Sequence, residues 1–404
     1  MIPSRSLSSL LALPALAFFS LSASAFPHPR TASSTATLKL AVRINSYGTK
    51  NIATADRARI QALQAGGSSS ISATNDVMIY TADIGVGSPA TYYTVLVDTG
   101  SSNTWIGANK SYEKTSTSQD TGNTFSVQYG DNSYASGEEY TDTVTLNSDL
   151  VIDNQSIGVA SKYSGMDGLD GLLGLGPVDL TDDTVSNTDE VPTVTDNLYK
   201  QGTISSEVLG VFFTPASSDD SSGELTFGGY DASKITGDIS YVPITSQSPA
   251  SEYWGIDQSI SYGSTPILDE TAGIVDTGTT LILIASDAFD KYQAATGATF
   301  DETVGLLQIS SDQYTKLSSL YFTIGGVTYE LTPNAQIWPR SLNNAVGGTT
   351  DGIYLVVSST GSPSGSGLDF TNGYCFLERF YSVFDTTNSR VGFATTAYTD
   401  ATTN

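Results

Sequence analysis

The segments VLVDTGSS (residues 95–102) and GIVDTGTT (residues 273–280) carry the same Asp-Thr-Gly triplet in the same context. In each segment an apolar run precedes the Asp, and hydroxyl residues follow the Gly. Such a run predicts a buried strand, and Gly allows a sharp turn after it. A single triplet is consistent with an ordinary strand-end turn capped by Asp. Two triplets in matching contexts indicate duplicated halves, each of which contributes one carboxylate to a shared site.

We predict that Asp98 and Asp276 are a catalytic pair. Two adjacent carboxylates cannot both ionise freely near neutral pH, so they share one proton, and one can act as base while the other acts as acid. The residues around them are expected to support the two loops. We expect the Thr residues to lock the loops together, the Gly residues to permit close approach and the next hydroxyls to bond the carboxylates: Thr99, Gly100, Ser101, Thr277, Gly278 and Thr279.

The composition excludes several other chemistries. The chain has one histidine, His28, and one cysteine, Cys375, and His28 lies in a segment that we expect to be removed. A mature chain without His cannot use a Ser-His or Cys-His mechanism or bind zinc through imidazole. One cysteine forms no intramolecular disulfide, and we expect Cys375 to be a core residue. We therefore expect no metal and no other cofactor.

The first 25 residues have the features of a secretory signal peptide. Arg5 precedes an apolar stretch (7–21), and Ala23-Ser24-Ala25 provides a cleavage site. The stretch is interrupted by Pro14 and is too short for a permanent membrane span. The polar C-terminus carries no lipid-anchor signal. We expect a secreted protein that does not associate with membranes, with an acidic vacuole as the alternative location.

Residues 26–72 differ in charge from the rest of the chain. The first 70 residues contain 7 of the 17 Lys and Arg residues but 1 of the 42 acids, Asp56. The segment could be a plain linker. We favour a propeptide that pairs with the acidic body at neutral pH and leaves as carboxylates take up protons. The run Gly66–Ser70 suggests a flexible, cleavable joint, with the mature chain starting near Ile71–Asn75. The net charge of −25 argues against nucleic-acid or anionic-membrane partners.

The remaining residues indicate an all-β protein of two halves. Short alternating runs are separated by Gly, Asn, Asp and Ser, which is typical of strands and turns. Short helices are predicted at about 193–201, 286–295 and 311–319. A Ser/Pro/Gln-rich stretch at 246–249 suggests the joint, which divides a first lobe (73–247) from a second (248–404). We expect two β lobes related by a pseudo-two-fold axis, with a cleft between them, in a monomer.

At this point the sequence resembles the pepsin-like aspartic endopeptidases, and within them the basidiomycete type. The resemblance covers nearly the whole chain and rests on stretches such as VDTGSSNTWIGA (97–108), DGLLGLGPVDL (170–180), GIVDTGTTLILIASDAF (273–289) and FLERFYSVFDTTNSRVGFAT (376–395). It implies a two-lobed acid-protease fold and hydrolysis of protein or peptide substrates at acidic pH. It also implies a preference for apolar residues around the scissile bond and a propeptide that inhibits its own enzyme.

The resemblance implies further roles. Tyr129 with Gly130 matches the tip of a flap that closes over substrate, and the Tyr129 hydroxyl would bond toward Trp105. The alternative for Tyr129 is an ordinary strand-end tyrosine. Residues 172–174 (Leu-Leu-Gly) match an element that packs behind the first catalytic loop. The counterpart in the second half, residues 371–373, reads Thr-Asn-Gly and lacks the apolar pair.

Three further sites are candidates. Asp131 at the flap tip is either part of a solvated turn or a carboxylate that faces the S1 pocket and admits Lys. Asn109 and Asn154 each begin an N-glycosylation sequon.

Functions of other classes are also conceivable. A glycoside hydrolase uses two carboxylates but needs no duplicated Asp-Thr-Gly loops. An inactive binding protein on the same fold would be expected to have lost an Asp or the flap Tyr, and this chain keeps all three.

Overall fold

Strands dominate the described residues, as the alternating runs predict. The computed structural model describes residues 35–44, 51–64, 78–129, 133–166, 168–218 and 222–404. The predicted signal peptide, Gly66–Ser70 and the predicted mature start lie outside them. Within the described part, no helix is long and apolar enough to cross a membrane.

The strands up to residue 243 are β1 (Ala36–Ile44), β2 (Met78–Val86), β3 (Thr91–Asp98), β4 (Trp105–Ile106), β5 (Gln119–Gln128), β6 (Tyr134–Thr145), β7 (Val151–Ser164), β8 (Gly171–Gly174), β9 (Val208–Phe213), β10 (Ser222–Phe227) and β11 (Ser240–Pro243). The later strands are β12 (Gly255–Tyr262), β13 (Thr265–Val275), β14 (Ile282–Ile284), β15 (Thr299–Asp301), β16 (Leu306–Ile309), β17 (Leu320–Ile324), β18 (Val327–Leu331), β19 (Ile353–Tyr354), β20 (Val357–Ser359), β21 (Phe370–Asn372), β22 (Phe380–Asp385) and β23 (Arg390–Thr395).

The helices in the described residues are short. They are α1 (Ile52–Gln64), α2 (Val194–Lys200), α3 (Ser286–Thr296), α4 (Ser311–Tyr314) and α5 (Tyr374–Leu377), with 3₁₀ turns at Val178–Thr181, Ala250–Glu252 and Arg340–Val346.

The predicted helices form at all three positions, but α4 ends early. A capping box between Thr193 and Asp196 starts α2. Gly297, with a φ of 66°, ends α3. After α4 the amides of Lys316 and Leu317 bond three residues back. This tighter hydrogen-bond pattern ends the α-helix before the predicted limit at residue 319.

The two halves repeat the same strand pairing. In the first half β3 runs parallel to β8, β8 antiparallel to β4, and β4 parallel to β7. In the second half β13 runs parallel to β21, β21 antiparallel to β14, and β14 parallel to β20. Both triplets therefore begin at the carboxyl end of an equivalent strand. The duplication that the two Asp-Thr-Gly segments indicate is present in the sheet topology.

One large sheet combines strands from both ends of the chain. Its order is β11-β23-β22-β9-β10-β1-β2-β3-β8-β4-β7-β6-β5, and a seven-stranded sheet has the order β18-β17-β12-β13-β21-β14-β20. The last two strands thus lie in the sheet that holds the first triplet, because β22 pairs with β9. The lobe boundary at residues 247 and 248 stays a prediction.

Part of the predicted propeptide is built into this sheet. Strand β1 pairs with β10 on one side and β2 on the other, and it buries Leu38 and Leu40. Lys39 faces Glu224 across the ladder and forms an ion pair with it. The single cysteine, Cys375, is buried in the core, as predicted.

Candidate active site

Asp98 and Asp276 lie together at the ends of β3 and β13, and both are fully buried. Each carboxylate is held by its own loop in the same way. The Gly100 amide donates to Asp98 Oδ1 (2.9 Å) and the Ser101 hydroxyl to Asp98 Oδ2 (2.5 Å). In the second loop the corresponding donors are the Gly278 amide (2.9 Å) and the Thr279 hydroxyl (2.6 Å). Hydrogen bonds of this kind favour the ionised carboxylate.

The two loops are locked together by a reciprocal pair of hydrogen bonds. The Thr99 amide donates to the Thr277 hydroxyl oxygen (3.0 Å), and the Thr277 amide donates to the Thr99 hydroxyl oxygen (2.9 Å). The Thr277 hydroxyl donates in turn to the Val97 carbonyl oxygen (3.1 Å). These bonds hold the two carboxylates at one separation.

Glycine is required in both triplets because the loops approach so closely. A Cβ atom at Gly100 would lie 2.6 Å from Asp276 Oδ1, and one at Gly278 would lie 2.5 Å from Asp98 Oδ1. Either contact is shorter than a real Cβ tolerates, so any side chain here would push the carboxylates apart.

Equivalent strands support both loops from behind. Asp98 is opposite Gly174 on β8, and its carbonyl oxygen accepts from the Leu175 amide (2.8 Å). On β21 the Asn372 carbonyl oxygen accepts from the Asp276 amide (3.2 Å). Thus β21 backs the second loop even though its sequence lacks the apolar pair of β8.

Tyr129 and Trp105 are bonded as the resemblance implies. The Trp105 indole N–H donates to the Tyr129 hydroxyl oxygen (2.6 Å), and both side chains are buried. They belong to a separate apolar cluster that includes Phe125, Met166 and Leu172. A buried and bonded Tyr129 differs from an ordinary strand-end tyrosine, although its flap role stays a prediction. Gly130 and Asp131 lie outside the described residues.

The pair of carboxylates is bridged by Arg59 of the predicted propeptide. Arg59 Nη2 lies 2.7 Å from Asp98 Oδ1 and 2.8 Å from Asp276 Oδ1, and Arg59 Nε lies 2.7 Å from Asp276 Oδ2. The guanidinium is 1% exposed. Burial lowers the pKa of Arg59, but the two carboxylates outweigh it and raise the pKa overall, so the group stays charged. Burial raises the pKa of Asp98, and the Arg59 charge opposes that shift.

Helix α1 carries Arg59 into the site, and sequence reasoning missed this helix. The segment from Asn51 to Gln64 contains no Gly or Pro, and its buried residues Ile52, Asp56, Arg59, Ile60 and Leu63 recur at helical spacing. That pattern was the available signal.

Two side chains attach α1 to the second half. The Arg57 guanidinium donates to the Ser359 carbonyl oxygen (3.1 Å), and the Gln64 amide donates to the Leu368 carbonyl oxygen (2.9 Å). Both acceptor residues belong to the second half of the chain.

Asp56 lies one helical turn before Arg59 and is fully buried. Its carboxylate accepts from the backbone amides of Leu281 (2.8 Å) and Thr280 (3.3 Å), just beyond the second triplet. Burial raises the pKa of Asp56 to about 7, and the nearby Asp276 charge adds to the shift. The one acid of the basic segment thus lies in the candidate active site.

The described basic residues of the predicted propeptide pair with the rest of the chain in two ways. Lys39 and Arg59 contact carboxylates. Arg43 and Arg57 donate to the carbonyl oxygens of Gly168 and Ser359. The expected charge pairing thus holds for two of these four residues. Among the described residues, no group of three or more His, Cys, Asp or Glu side chains is placed to hold a metal ion.

The asparagine side chains of the two sequons differ in their hydrogen bonds and in their exposure to solvent. The amide nitrogen of Asn109 donates to the carbonyl oxygens of Met166 and Leu169. Asn154 is exposed, and its side-chain oxygen accepts from Gln119 (3.2 Å).

Comparison with known proteins gives one consistent result. Residues 79–396 match the family model described as "Eukaryotic aspartyl protease". The chain is 63% identical to polyporopepsin of Irpex lacteus over 339 residues, which are 83% of this chain and 99% of that protein. It is 35% identical to rhizopuspepsin-1 of Rhizopus niveus (70% of this chain and 73% of that one) and 32% identical to human gastricsin (79% and 81%). The crystal structure of the aspartic proteinase from Irpex lacteus superposes with a TM-score of 0.78 at 63% identity, covering 81% of this chain and 96% of that one.

Proposed function

Because the chain belongs to the eukaryotic aspartyl protease family and is a pepsin-like aspartic endopeptidase, we propose that Asp98 and Asp276 are its catalytic residues. We further propose that it is made as a secreted, monomeric zymogen in which Arg59 blocks these residues. Proteins and peptides are its substrates. The observation that carries the proposal is the position of Arg59 Nη2, within hydrogen-bonding distance of one oxygen of each carboxylate.

The same position suggests how the mature enzyme works. A water molecule that replaces Arg59 Nη2 can bond both Oδ1 atoms at once. The ionised carboxylate takes a proton from this water, which attacks the scissile carbonyl carbon. The protonated carboxyl group stabilises the developing oxyanion, and a proton passes to the leaving nitrogen. Aspartic proteases are the reference case for one proton shared by two carboxylates, so we assign the titration to the pair and not to either residue.

Substrate is proposed to lie under the flap and to present apolar residues to the cluster around Trp105 and Phe125. Apolar side chains next to the scissile bond would be buried there, and the bonded Tyr129 would hold the flap strands over an extended peptide. Cleavage-site mapping on a denatured globin, from pH 2 to 7 and with a statine-type inhibitor as control, tests this proposal. Inhibitor-sensitive cleavage at acidic pH between apolar residues is expected. Cleavage that the inhibitor does not block would contradict it.

Acid is proposed to release the propeptide because the pairing between its basic residues and the acidic body weakens as carboxylates of the body take up protons. Lys39 and Arg59 are the described basic residues that contact carboxylates.

Replacing Asp56 by Asn is expected to tighten the docking of α1 near neutral pH and to leave it unchanged in acid. The docked pKa of about 7 lies above the ordinary value of 3.8, so docking takes up a proton at Asp56. The stabilisation of docking that comes from protonated Asp56 is fully present below about pH 3.8 and is lost as the pH rises through about 7. Asn stays neutral, so Asp56→Asn should dock α1 about tenfold or more tightly than wild type at pH 6 and equally at pH 3. The apparent affinity of a statine-type inhibitor for the uncleaved zymogen measures docking, because α1 and inhibitor compete.

The control is Gln64→Ala, which removes a neutral contact of the same helix and should weaken docking equally at both pH values. Weaker docking of Asp56→Asn at pH 6 would contradict the prediction. It would mean that Asp56 serves as an ionised anchor for the Thr280 and Leu281 amides.

We also propose that Asn154 carries an N-linked glycan and that Asn109 does not. The sugar attaches to the side-chain nitrogen, which is engaged with two carbonyl oxygens in Asn109 and lies at an exposed position in Asn154. Protein secreted from a yeast host should lose one glycan mass on endoglycosidase treatment. Asn154→Gln should abolish that loss and Asn109→Gln should retain it; a glycan mapped to Asn109 would refute the assignment.

A further inference from the structure

Two buried amide side chains bond each other behind the second catalytic loop. Gln258 on β12 and Asn372 on β21 are both 0% exposed. Asn372 Nδ2 donates to Gln258 Oε1 (2.8 Å), and Gln258 Nε2 donates to Asn372 Oδ1 (3.2 Å). The two strands flank β13, which ends just before Asp276. The pair therefore spans the strand that delivers the second carboxylate.

The first half has apolar residues at both equivalent positions. Asn372 is opposite Val275, the residue before Asp276, as Leu173 is opposite Val97, the residue before Asp98. Leu173 and Val97, which are the first-half equivalents of Asn372 and Val275, are both buried. The backing residue has thus changed from Leu in one half to Asn in the other.

The partner position has changed in the same direction. Gln258 pairs with Thr271, five residues before Asp276. Its counterpart Ile84 pairs with Tyr93, five residues before Asp98. Ile84 is 0% exposed. The two equivalent positions therefore hold buried apolar side chains in the first half, Ile84 and Leu173, and buried amide side chains in the second half.

A buried amide pair behaves differently from an apolar pair. Each amide must find a partner, because a buried polar group without one is costly. The two bonds between Gln258 and Asn372 are directional, so they specify the position of β21 relative to β12 more narrowly than apolar contact does. An apolar pair of similar volume would fill the space without that constraint.

The position of β21 bears directly on the catalytic carboxylate. The Asn372 carbonyl oxygen accepts from the Asp276 amide (3.2 Å). We propose that Gln258 and Asn372 are positioning residues, which hold the backbone of Asp276 at the spacing that the two carboxylates need. This inference rests on the proposed catalytic role of Asp276. It predicts that breaking one amide partner damages catalysis, whereas replacing both does not.

The test compares Gln258→Leu, Asn372→Leu and the double variant, all processed to the mature form. Active sites are first titrated with a statine-type inhibitor, and kcat and KM are then measured per titrated site on one peptide. Each single variant leaves an unpaired amide and is expected to lose about tenfold or more in kcat, with KM within about twofold. The double variant, with no unpaired amide, should recover to within about threefold of wild type.

The control is Gln336→Leu, which removes another fully buried amide whose partners Tyr292, Ser318 and Leu331 lie apart from the loop. It should lower the melting temperature and leave kcat per titrated site unchanged. Single Gln258 or Asn372 variants that behave like this control would overturn the inference, as would a double variant whose loss equals the product of the single losses. A wild type that the inhibitor does not titrate would overturn the proposed function, and this inference with it.

Discussion

Replacing either Asp98 or Asp276 by Asn is expected to abolish peptide hydrolysis while leaving the fold intact. Asn is close in size to Asp, and its side-chain oxygen can still accept the amide bond from Gly100 or Gly278. Its NH2 group can donate to the Ser101 or Thr279 hydroxyl oxygen, which reverses the present bond. It cannot gain or lose a proton in the working pH range, so the pair loses either its base or its acid. We expect kcat to fall by about 10⁴-fold, the upper end of what general acid–base catalysis contributes. The measurement is cleavage of a peptide at pH 3–5.

These variants cannot process themselves if the proposal is correct, so every chain is matured with an immobilised protease that is then removed. Asp83→Asn is the matched control, because Asp83 is an exposed carboxylate on the neighbouring strand β2 and its loss should leave kcat unchanged. A thermal melt confirms that each variant is folded. Activity of Asp98→Asn within tenfold of wild type would contradict the assignment of the pair.

Replacing Arg59 by Met is expected to open the zymogen near neutral pH. Met keeps much of the apolar volume but leaves two buried carboxylates without their cation. Breaking a buried ion pair from one side costs about 3–5 kcal/mol, which corresponds to docking of α1 that is weaker by about 10²-fold to about 4 × 10³-fold. The apparent affinity of the uncleaved chain for a statine-type inhibitor at pH 6 should rise by that factor. Mass spectrometry on the same sample confirms that the propeptide is still attached.

Arg57→Met provides the control for charge and position in the same helix. Arg57 donates to the Ser359 carbonyl oxygen and does not bond either carboxylate, so it should change inhibitor binding by less than about tenfold. Arg59→Lys should keep most of the latency, because it retains the charge while losing the two-nitrogen bridge. Equal effects of Arg57→Met and Arg59→Met would show that general helix docking, and not the bridge to the carboxylates, maintains latency.

The duplicated triplets were sufficient to predict the pair of carboxylates. Asp98 and Asp276 each follow an apolar run that predicts a buried strand, and each precedes Gly and a hydroxyl residue. These features can be recognised from the local sequence by the rules for strands and turns. The same rules predicted the all-β fold and the starts of α2, α3 and α4, but not α5. The bond between Trp105 and Tyr129 followed from family resemblance and is present in the structure.

Interactions between distant residues were not predictable in this way. Nothing in the segment around Arg59 indicates that its guanidinium contacts carboxylates 39 and 217 residues away. The charge of the segment suggested diffuse pairing with the acidic body, whereas two of the four described basic residues bond carbonyl oxygens instead. The Thr-Asn-Gly sequence at 371–373 lacks the apolar pair of the first half. The partner of Asn372, Gln258, lies 114 residues earlier in the chain, so the local sequence did not indicate it.

The sequence alone therefore predicted the chemistry that we propose: two carboxylates on duplicated strands, with one histidine, which lies in the predicted propeptide, and one cysteine. These features depend on residue types and short spacings, which act locally. The tertiary structure alone decided which groups surround those carboxylates, namely Arg59, Asp56 and the Gln258–Asn372 pair. Their effects depend on burial and on hydrogen-bond distances of about 3 Å between remote segments, and these arise only when the chain has folded.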